Sequence, residues 1–521
     1  MSATVHSTLP HGAKPQPSGL GQLSRAEMTA LLNNGYKLTP ATLAVKITDG
    51  KWIPAPHLLY LSTAVTTAIM KGGQFIIVTM PPRHGKSEFL SVNVPIWFLE
   101  HFPTQRIILT SYGADLATEF ALKVRDTFQN PDLEHLLNTR LRRDKMQLAN
   151  FKTTEGGGMI SIGIGGAITG KGADLLLVDD YVKNAEEALS ESQKKKAWEW
   201  LLSTALTRVE PGGSVIMLAT RWDTKDLIGM VLRKFDELQE AGFEPPTIIN
   251  LPALARPNDP LGRKEGEALW PERYDEKALR RLKALLGTYW WEGLYQQDPP
   301  SSMSGLNLGD KLKLIAKEEL PHYKELKAVR AWDMAATPEE IAQANDADYT
   351  VGMLMLYHKE TDRVFITEAV RKRLSPMATH HLMHATAEID GPGVKIWVEQ
   401  EPGSAGKWTI EYIQSDVLPE YDVEGEKSTG PVEVRCQPFL AKVEAGDVYV
   451  VEGEYLEPFR EELNNFPEGD HDDTVVAASL GYRKLAKGRF GGLTWGRNRE
   501  SRKPTNSGRR APYKRRGRLT W

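Results

Sequence analysis

Residues 80–87 read Met-Pro-Pro-Arg-His-Gly-Lys-Ser, a spacing suited to holding phosphate groups. Apolar residues 75–78 predict a buried strand before them, and the two prolines end that strand. Gly85-Lys86-Ser87 then open a helix, whose free N–H groups can bind phosphate oxygens. Lys86 is placed to reach the β- and γ-phosphates of a nucleotide, and Ser87 to bind Mg²⁺. Met80 stands where the usual pattern has a glycine, so the loop is a variant of that pattern.

Two aspartates follow a second apolar run about 90 residues further along the chain. Residues 175–178 are aliphatic and predict a buried strand that ends at Asp179 and Asp180. Asp179 is placed to bind Mg²⁺ through water, and Asp180 to orient an attacking water molecule. Together with the loop, this pair predicts nucleotide hydrolysis. The predicted nucleotide contacts are Pro82, Arg83, His84, Gly85, Lys86, Ser87, Asp179 and Thr220.

Thr220 ends another apolar strand, at residues 214–219, and has two possible roles. Beside a γ-phosphate it can report hydrolysis to the rest of the domain; otherwise it is the N-cap of a helix that starts near Thr224. Charge that develops on the γ-phosphate also needs a nearby cation. Arg83 is the favoured cation within the same subunit, and Lys171 is the candidate across a subunit interface. Either side chain can instead be structural or contact DNA.

Carboxylates recur at the ends of predicted elements in the second half of the chain. Asp333 and Glu399 end apolar strands, and the pair Asp472-Asp473 precedes a helix. Cleavage of a phosphodiester by two metal ions needs carboxylates from separate elements to hold Mg²⁺ or Mn²⁺ ions about 4 Å apart. The alternative is a set of solvated surface acids, which fits less well for Glu399 and for an adjacent pair of like charges. Weaker candidates are Asp348, Glu401 and Asp470.

The order of predicted elements differs between the two halves of the chain. Strands and helices alternate in the first half, which predicts an α/β domain with a mostly parallel sheet. In the second half three strands, a helix, an acid-tipped strand and a late acid-headed helix follow one another. That is the order of a ribonuclease H-like nuclease with a mixed sheet. We predict an N-terminal extension, partly disordered (1–45), a P-loop ATPase domain of the ASCE type (46–250), a linking subdomain (251–325), the nuclease domain (326–485) and a basic disordered tail (486–521).

Length and composition agree with several domains. The chain has 521 residues, of which 41% are hydrophobic, enough for more than one core. Neither a membrane-length apolar run nor a signal peptide is visible, so we expect a soluble intracellular protein. Cys436 is the single cysteine, which excludes intramolecular disulfides and zinc sites built from cysteines.

Charge is distributed unevenly along the chain. Residues 483–521 hold 14 Lys/Arg and one acidic residue, a net of +13, whereas the whole chain carries −3. The body is therefore acidic and the tail basic, with too few apolar residues in the tail for it to fold alone. The tail is either a solubilising end or a flexible contact to nucleic acid or an acidic partner.

Six short motifs, taken in order, resemble the large terminase subunit of tailed bacteriophages over roughly residues 50–482. They are Met80-Pro-Pro-Arg-His-Gly-Lys-Ser87, Leu175-Leu-Leu-Val-Asp-Asp180, Thr220-Arg-Trp222, Arg330-Ala-Trp-Asp333, Val398-Glu-Gln-Glu-Pro-Gly-Ser-Ala-Gly406 and His471-Asp-Asp473. The resemblance implies an ATP-driven motor that pumps double-stranded DNA through the portal into a procapsid, with an endonuclease that cuts concatemeric DNA. It implies ATP and Mg²⁺ at one site and two Mg²⁺ or Mn²⁺ ions at the other.

The same resemblance implies partners, a location and residue roles. The partners are the portal protein, the small terminase subunit, the procapsid and further copies in a ring, without a membrane. The location is the host cytoplasm, transiently on the procapsid and not in the mature virion. By motif, Lys86, Ser87 and Asp179 serve the ATPase, and Asp333, Glu399, Asp472 and Asp473 hold the nuclease metals.

The sequence departs from the family pattern at two positions. Asp180 stands where the family often has glutamate, so its carboxylate is one methylene shorter. Val476 stands where many relatives place another acid, which predicts a metal cage built without that position. A helicase–nuclease of DNA repair is the second interpretation, although residues 223–325 lack further helicase motifs. A non-enzymatic nucleic-acid adaptor is the third, and the intact site residues count against it.

Overall fold

The structure is a computed structural model that describes residues 35–168, 170–242, 244–335, 348–401 and 403–486. The predicted basic tail from residue 487 onward and the first 34 residues of the predicted extension lie outside the described residues. Across the described ranges, no helix combines the length and the apolarity needed to cross a membrane.

Eight strands of the described first half form one sheet in the order β3-β4-β5-β2-β6-β7-β1-β8. Neighbouring strands from β5 to β8 are parallel, whereas β3, β4 and β5 pair in antiparallel fashion. The strands are β1 (Phe75–Thr79), β2 (Arg106–Ser111), β3 (Leu141–Gln147), β4 (Asn150–Thr153), β5 (Gly158–Gly163), β6 (Ala173–Asp179), β7 (Val209–Ala219) and β8 (Thr247–Asn250). The predicted mostly parallel sheet is confirmed.

Helices cover both faces of this sheet, as expected for parallel strands with apolar residues on each side. Ile76 and Val78 of β1 contribute to one hydrophobic core and Ile77 to another. The helices are α1 (Pro40–Ile47), α2 (Pro56–Lys71), α3 (Lys86–Glu88, continued by a π-helical turn Phe89–Asn93 and by Val94–His101), α4 (Ala114–Gln129), α5 (Ala185–Leu189), α6 (Glu191–Trp200) and α7 (Leu227–Glu240).

A second, mixed sheet has seven strands in the described part of the chain, in the order β14-β13-β10-β11-β12-β15-β9. The central strands β10, β11 and β12 are antiparallel, and β13 joins β10 in parallel. Its strands are β9 (Lys313–Leu314), β10 (Leu326–Asp333), β11 (Thr350–His358), β12 (Arg363–Lys372), β13 (Lys395–Gln400), β14 (Val423–Lys427) and β15 (Val448–Val450). The helices are α8 (Glu276–Trp290), α9 (Pro376–Asp390), α10 (Ser404–Tyr412), α11 (Val432–Glu444), α12 (Leu456–Asn465) and α13 (Asp473–Leu485). The predicted ribonuclease H-like order of elements is confirmed.

Helix α8 of the predicted linking subdomain packs against α11 of the nuclease half. The backbone N–H of Thr288 donates to Glu444 Oε2 at 2.7 Å, and Gln437 donates to the carbonyl of Leu286. On the other side, Trp290 meets Trp222 edge to face, with ring centroids 6.0 Å apart. Strand β9 also lies within residues 251–325 but pairs with β15 of the second sheet. The predicted domain boundaries remain predictions.

Candidate functional site

The phosphate-binding loop lies between β1 and α3, and two of its residues have positive φ. Gly85 has φ 83°, and a Cβ atom there would lie 3.2 Å from Leu58 Cδ1, so a larger residue would be strained and crowded. Arg83 has φ 64° and an exposed side chain. Pro82 is half-buried at the start of the turn. The loop therefore leaves the Arg83 side chain exposed to solvent.

His84 is part of the internal support of the loop. Its Nδ1 is 2.8 Å from the carbonyl oxygen of Pro82, and its ring stacks on Tyr274 with centroids 5.3 Å apart. A second buried histidine, His57, has its Nε2 2.9 Å from the carbonyl oxygen of His84. Burial lowers the pKa of both imidazoles to about 4, so both are neutral at pH 7. The backbone of His84 stays a candidate for nucleotide contact, whereas its ring packs within the protein.

Lys86 is buried at the place where three parallel strands end. Its Nζ atom is 2.9 Å from Asp180 Oδ1 and also donates a short hydrogen bond to Thr220 Oγ1. The backbone N–H of Thr220 donates to the same Asp180 oxygen at 3.2 Å. Asp180 has φ 39°, a left-handed conformation that is uncommon outside glycine. The alternative role of Thr220 as a helix N-cap is wrong, because Asp226 caps α7 by accepting from the N–H of Gly229.

Asp179 joins the loop helix through two hydroxyl groups. Ser87 Oγ donates to its Oδ1 at 3.0 Å, and Ser91 Oγ to its Oδ2 at 2.6 Å. Burial and the adjacent charge of Asp180 raise the pKa of Asp179 to about 7. A divalent cation would relieve this cost by adding positive charge, so the donor set of hydroxyl and carboxylate oxygens fits Mg²⁺.

The two candidate cations of the ATPase lie at opposite ends of β6. Arg83 is in the loop that meets the carboxyl end of this strand. Lys171 lies before its first residue, exposed, in a cavity of 920 Å³ that Arg106 and Lys152 also line. Seven strand residues span roughly 20 Å, so Lys171 lies too far from Asp179 to serve the same subunit's site.

The nuclease acids converge at the edge formed by β10, β13 and α13. Trp332 pairs with Val398 in neighbouring parallel strands, so Asp333, the last residue of β10, lies beside Glu399, the last but one of β13. Burial raises the pKa of Asp333 well above its ordinary value, and the negative charges of Glu399, Asp473 and Asp472 raise it further. Four mutually repelling carboxyl groups are therefore close together, as a site for cations requires.

Glu399 uses its two oxygens differently. Its Oε1 accepts from Ser428 Oγ at 2.7 Å and from the guanidinium of Arg435. Its Oε2 is buried and has no hydrogen-bond partner among the described residues. A buried carboxylate oxygen without a hydrogen-bond donor, inside a group of acids, is suited to bind a divalent cation, so the residues fit such an ion.

Asp473 lies beside two further potential ligands. Its Oδ2 accepts from the N–H of Tyr349 at 3.3 Å and is 3.8 Å from His471 Nδ1, which in turn is 4.0 Å from Asp348 Oδ1. One ligand atom from each of Asp348, His471 and Asp473 lies within 4.8 Å of the others. Burial raises the pKa of Asp473 to about 7, against the opposing effect of the Tyr349 hydrogen bond. Asp348, a weaker candidate from sequence, thus lies next to a principal one.

The remaining sequence candidates are placed less favourably. Asp470 is exposed, and Glu401 is exposed on a cavity of 370 Å³ that Glu399 also lines. Asp472 precedes the first residue of α13 and is only partly buried, and burial with the charge of Glu462 raises its pKa. Val476 is buried in the core, which explains why that position supplies no acid to the site.

Two family models match the chain, one over the half that forms the first sheet and one over the half that forms the second. The model "Terminase large subunit, T4likevirus-type, N-terminal" matches residues 77–294, and "Terminase RNaseH-like domain" matches residues 330–485. The chain belongs to the terminase large subunit family. It is a phage DNA-packaging motor with nuclease activity, an enzyme that combines an ATPase with a nuclease.

Several solved terminase structures resemble this terminase at low identity. The large terminase of a thermophilic bacteriophage in complex with ADP has 10% identity and a TM-score of 0.46, and the match covers 83% of this chain and 100% of that one. The HK97 bacteriophage large terminase has 9% identity and a TM-score of 0.30, with 78% and 90% covered. The Mn-bound nuclease domain from bacteriophage SPP1 has 13% identity and a TM-score of 0.25, with 34% and 97% covered. No curated protein matches the chain.

Sequence reasoning assigned no role to four polar residues that lie at the two sites of this terminase. Ser91 carries a weak signal, since it lies one helical turn after Ser87 and so shares its face. His471 adjoins the Asp pair but its orientation is not visible in the sequence. Ser428 and Arg435 give no signal, because they lie 29 and 36 residues from the glutamate they contact.

The two adjacent aspartates should differ in their effect on DNA cleavage. We expect Asp473→Asn to reduce the rate more than Asp472→Asn, because Asp473 is buried beside His471 and Tyr349 whereas Asp472 precedes the helix. Cleavage of plasmid DNA in Mn²⁺ measures both variants, with Asp470→Asn, an exposed neighbour, as the control. Equal losses at both positions would mean that both carboxylates are required.

Proposed function

We propose that this terminase large subunit uses ATP hydrolysis to drive double-stranded DNA through a portal into a procapsid, and that a two-metal endonuclease site cuts concatemeric DNA. One observation carries the proposal. The chain has two polar clusters on two different sheets: the ammonium–carboxylate–hydroxyl group of Lys86, Asp180 and Thr220, and the acids around Asp333 and Glu399.

At the first cluster, the Lys86 ammonium exchanges its present partners for phosphate oxygens of ATP. This exchange loosens the Lys86–Asp180 ion pair and leaves Asp180 to orient the attacking water. Thr220 loses its hydrogen bond from Lys86 in the same exchange. A change in the position of Thr220 then passes through residues 221–222 to Trp290, which contacts Trp222. Ser87 and Asp179 hold Mg²⁺, which neutralises charge on the β- and γ-phosphates when bound.

The cation for the γ-phosphate is Arg83 in the same subunit. Its exposed side chain projects from the loop itself, so no other subunit is needed to bring a positive charge to the phosphates. Lys171 can act only on a neighbouring subunit's site, since β6 separates it from Asp179. A ring of subunits on the portal is the assembly in which such a contact recurs.

At the second cluster, Asp333, Glu399, Asp472 and Asp473 hold the two cations, either Mg²⁺ or Mn²⁺. Two such ions, when bound, neutralise charge on the attacking and leaving oxygens of a phosphodiester. Glu399 contributes Oε2, and Asp473 connects the acid group to His471 and Asp348. The further partners are the small terminase subunit and the procapsid, and the site of action is the host cytoplasm.

DNA packaging by the purified protein tests this proposal. We expect the protein, mixed with empty portal-bearing procapsids of its phage, linear DNA and ATP, to render DNA resistant to added DNase. Asp333→Asn should protect linear DNA as the wild type does, because cutting is not needed, whereas Lys86→Ala should protect none. DNase-resistant DNA formed by Lys86→Ala would contradict the proposed motor role of the loop.

A further inference from the structure

The carboxylate of Glu399 is held on one side only. Oε1 receives two donors, the Ser428 hydroxyl at 2.7 Å and one guanidinium nitrogen, Nη1, of Arg435. Oε2 is buried and has no partner among the residues that the structure describes. The side chains of Glu399 and Arg435 are 11% and 17% exposed, so neither readily exchanges its partner for water.

Both donors lie on firmly attached elements. Ser428 directly follows β14, whose Glu426 pairs with Glu399, and its own N–H extends the ladder by donating to the carbonyl of Gln400 at 2.9 Å. Arg435 lies in the first turn of α11, and its carbonyl accepts from Arg483 of α13 at 2.9 Å. The donors to Oε1 are thus fixed by a strand pairing and by helix packing.

We infer that Arg435 and Ser428 are positioning residues of the nuclease site, which hold Glu399 Oε1 so that Oε2 is presented to a divalent cation. The inference rests on the proposed nuclease function of these acids. Partners that orient a ligating carboxylate in this way set its geometry and typically change metal affinity 10- to 100-fold when removed.

Arg435 could instead have the opposite role, in which its guanidinium competes with the cation for Glu399. Such a competitor would be expected to engage both carboxylate oxygens, because a guanidinium matches a carboxylate through two parallel hydrogen bonds. Arg435 instead donates through Nη1 to a single oxygen, and its Nε has no partner in the described part of the chain. The contact geometry therefore favours positioning over competition.

Mn²⁺ binding to the full chain without DNA tests the inference directly. Electron paramagnetic resonance counts free Mn²⁺ during a titration, and the sites lost in Glu399→Gln define the nuclease sites. We expect Arg435→Gln to weaken binding at those sites by roughly tenfold or more, Ser428→Ala to weaken it less, and Arg435→Lys to retain part of the affinity. Cleavage by Arg435→Gln should recover as Mn²⁺ is raised, an effect that a merely structural defect would not show.

Two controls separate the possible results. Arg460→Gln removes a half-buried arginine of the same half of the chain that pairs with the exposed Glu457, and it should bind Mn²⁺ as the wild type does. Thermal unfolding of every variant shows whether the nuclease half is folded, and ATP hydrolysis at the wild-type rate shows that the other sheet is unaffected. Unchanged or tighter Mn²⁺ binding by Arg435→Gln, with Glu399→Gln impaired, would overturn the positioning role alone. Unchanged binding by Glu399→Gln would instead overturn the proposed nuclease site.

Discussion

Asp333→Asn and Glu399→Gln should each reduce DNA cleavage by at least about 10- to 100-fold relative to the wild type, while ATP hydrolysis continues unchanged. This minimum loss follows because removing a metal ligand should reduce activity at least as much as removing a residue that only supports a ligand. Removing such a supporting residue already reduces metal affinity or activity 10- to 100-fold. Each substitution removes one negative charge and nearly preserves shape. Plasmid cleavage in Mn²⁺ and phosphate release from ATP are the two measurements.

Thermal unfolding distinguishes this loss from misfolding. The pKa of Asp333 is higher in the folded state than in the unfolded state. The folded state therefore loses stability as pH rises from the ordinary pKa of an aspartate toward the pKa of the folded state. Asp333→Asn removes that penalty and should leave the melting temperature at pH 7 equal or higher. Normal cutting by either variant would remove the nuclease assignment from these acids.

Lys86→Ala should abolish ATP hydrolysis and leave Mn²⁺-dependent cleavage at the wild-type rate. Lys86 is the buried cation of its cluster, and its loss leaves Asp180 with the Thr220 N–H and no ammonium for the phosphates. Cleavage is spared because the acids that would perform it lie on the other sheet. Lys234→Ala, an exposed lysine paired with Glu237 on α7, is the matched control and should hydrolyse ATP normally. Hydrolysis by Lys86→Ala at the control rate would mean that the loop is not the nucleotide site.

A chain of packing contacts connects the two sites. Trp222, two residues after Thr220, meets Trp290 of α8, and α8 contacts α11 through Leu286 and Thr288. Arg435 lies on that same α11. Arg435, which contacts Glu399, therefore lies in the first turn of α11, and later residues of the same helix contact α8.

The sequence by itself predicted which residues would carry the chemistry, and it determined which elements present them. Apolar runs such as residues 75–78 and 175–178 are local signals, and a residue that directly follows a parallel strand must lie at its carboxyl edge. Asp179 and Thr220 could therefore be placed at the same edge of the sheet, and Lys86 beside them because its loop starts where β1 ends. Asp333 and Glu399 were predicted by the same reasoning, since each follows an apolar run, although β13 extends one residue further, to Gln400.

Only the tertiary structure decided which atoms meet. Strand order puts β8 and β9 at sheet edges, and no local pattern encodes that order, because it depends on how remote segments bury their apolar faces together. The direction of a side chain is equally non-local: Ser428 and Arg435 reach one oxygen of Glu399 through strand pairing and helix packing. His84 is a further example, because its place in the loop predicted a nucleotide contact. In the structure its ring instead packs against Tyr274 inside the protein. A motif consists of residues close together in sequence, whereas these hydrogen-bond partners come from elements that lie far apart in sequence.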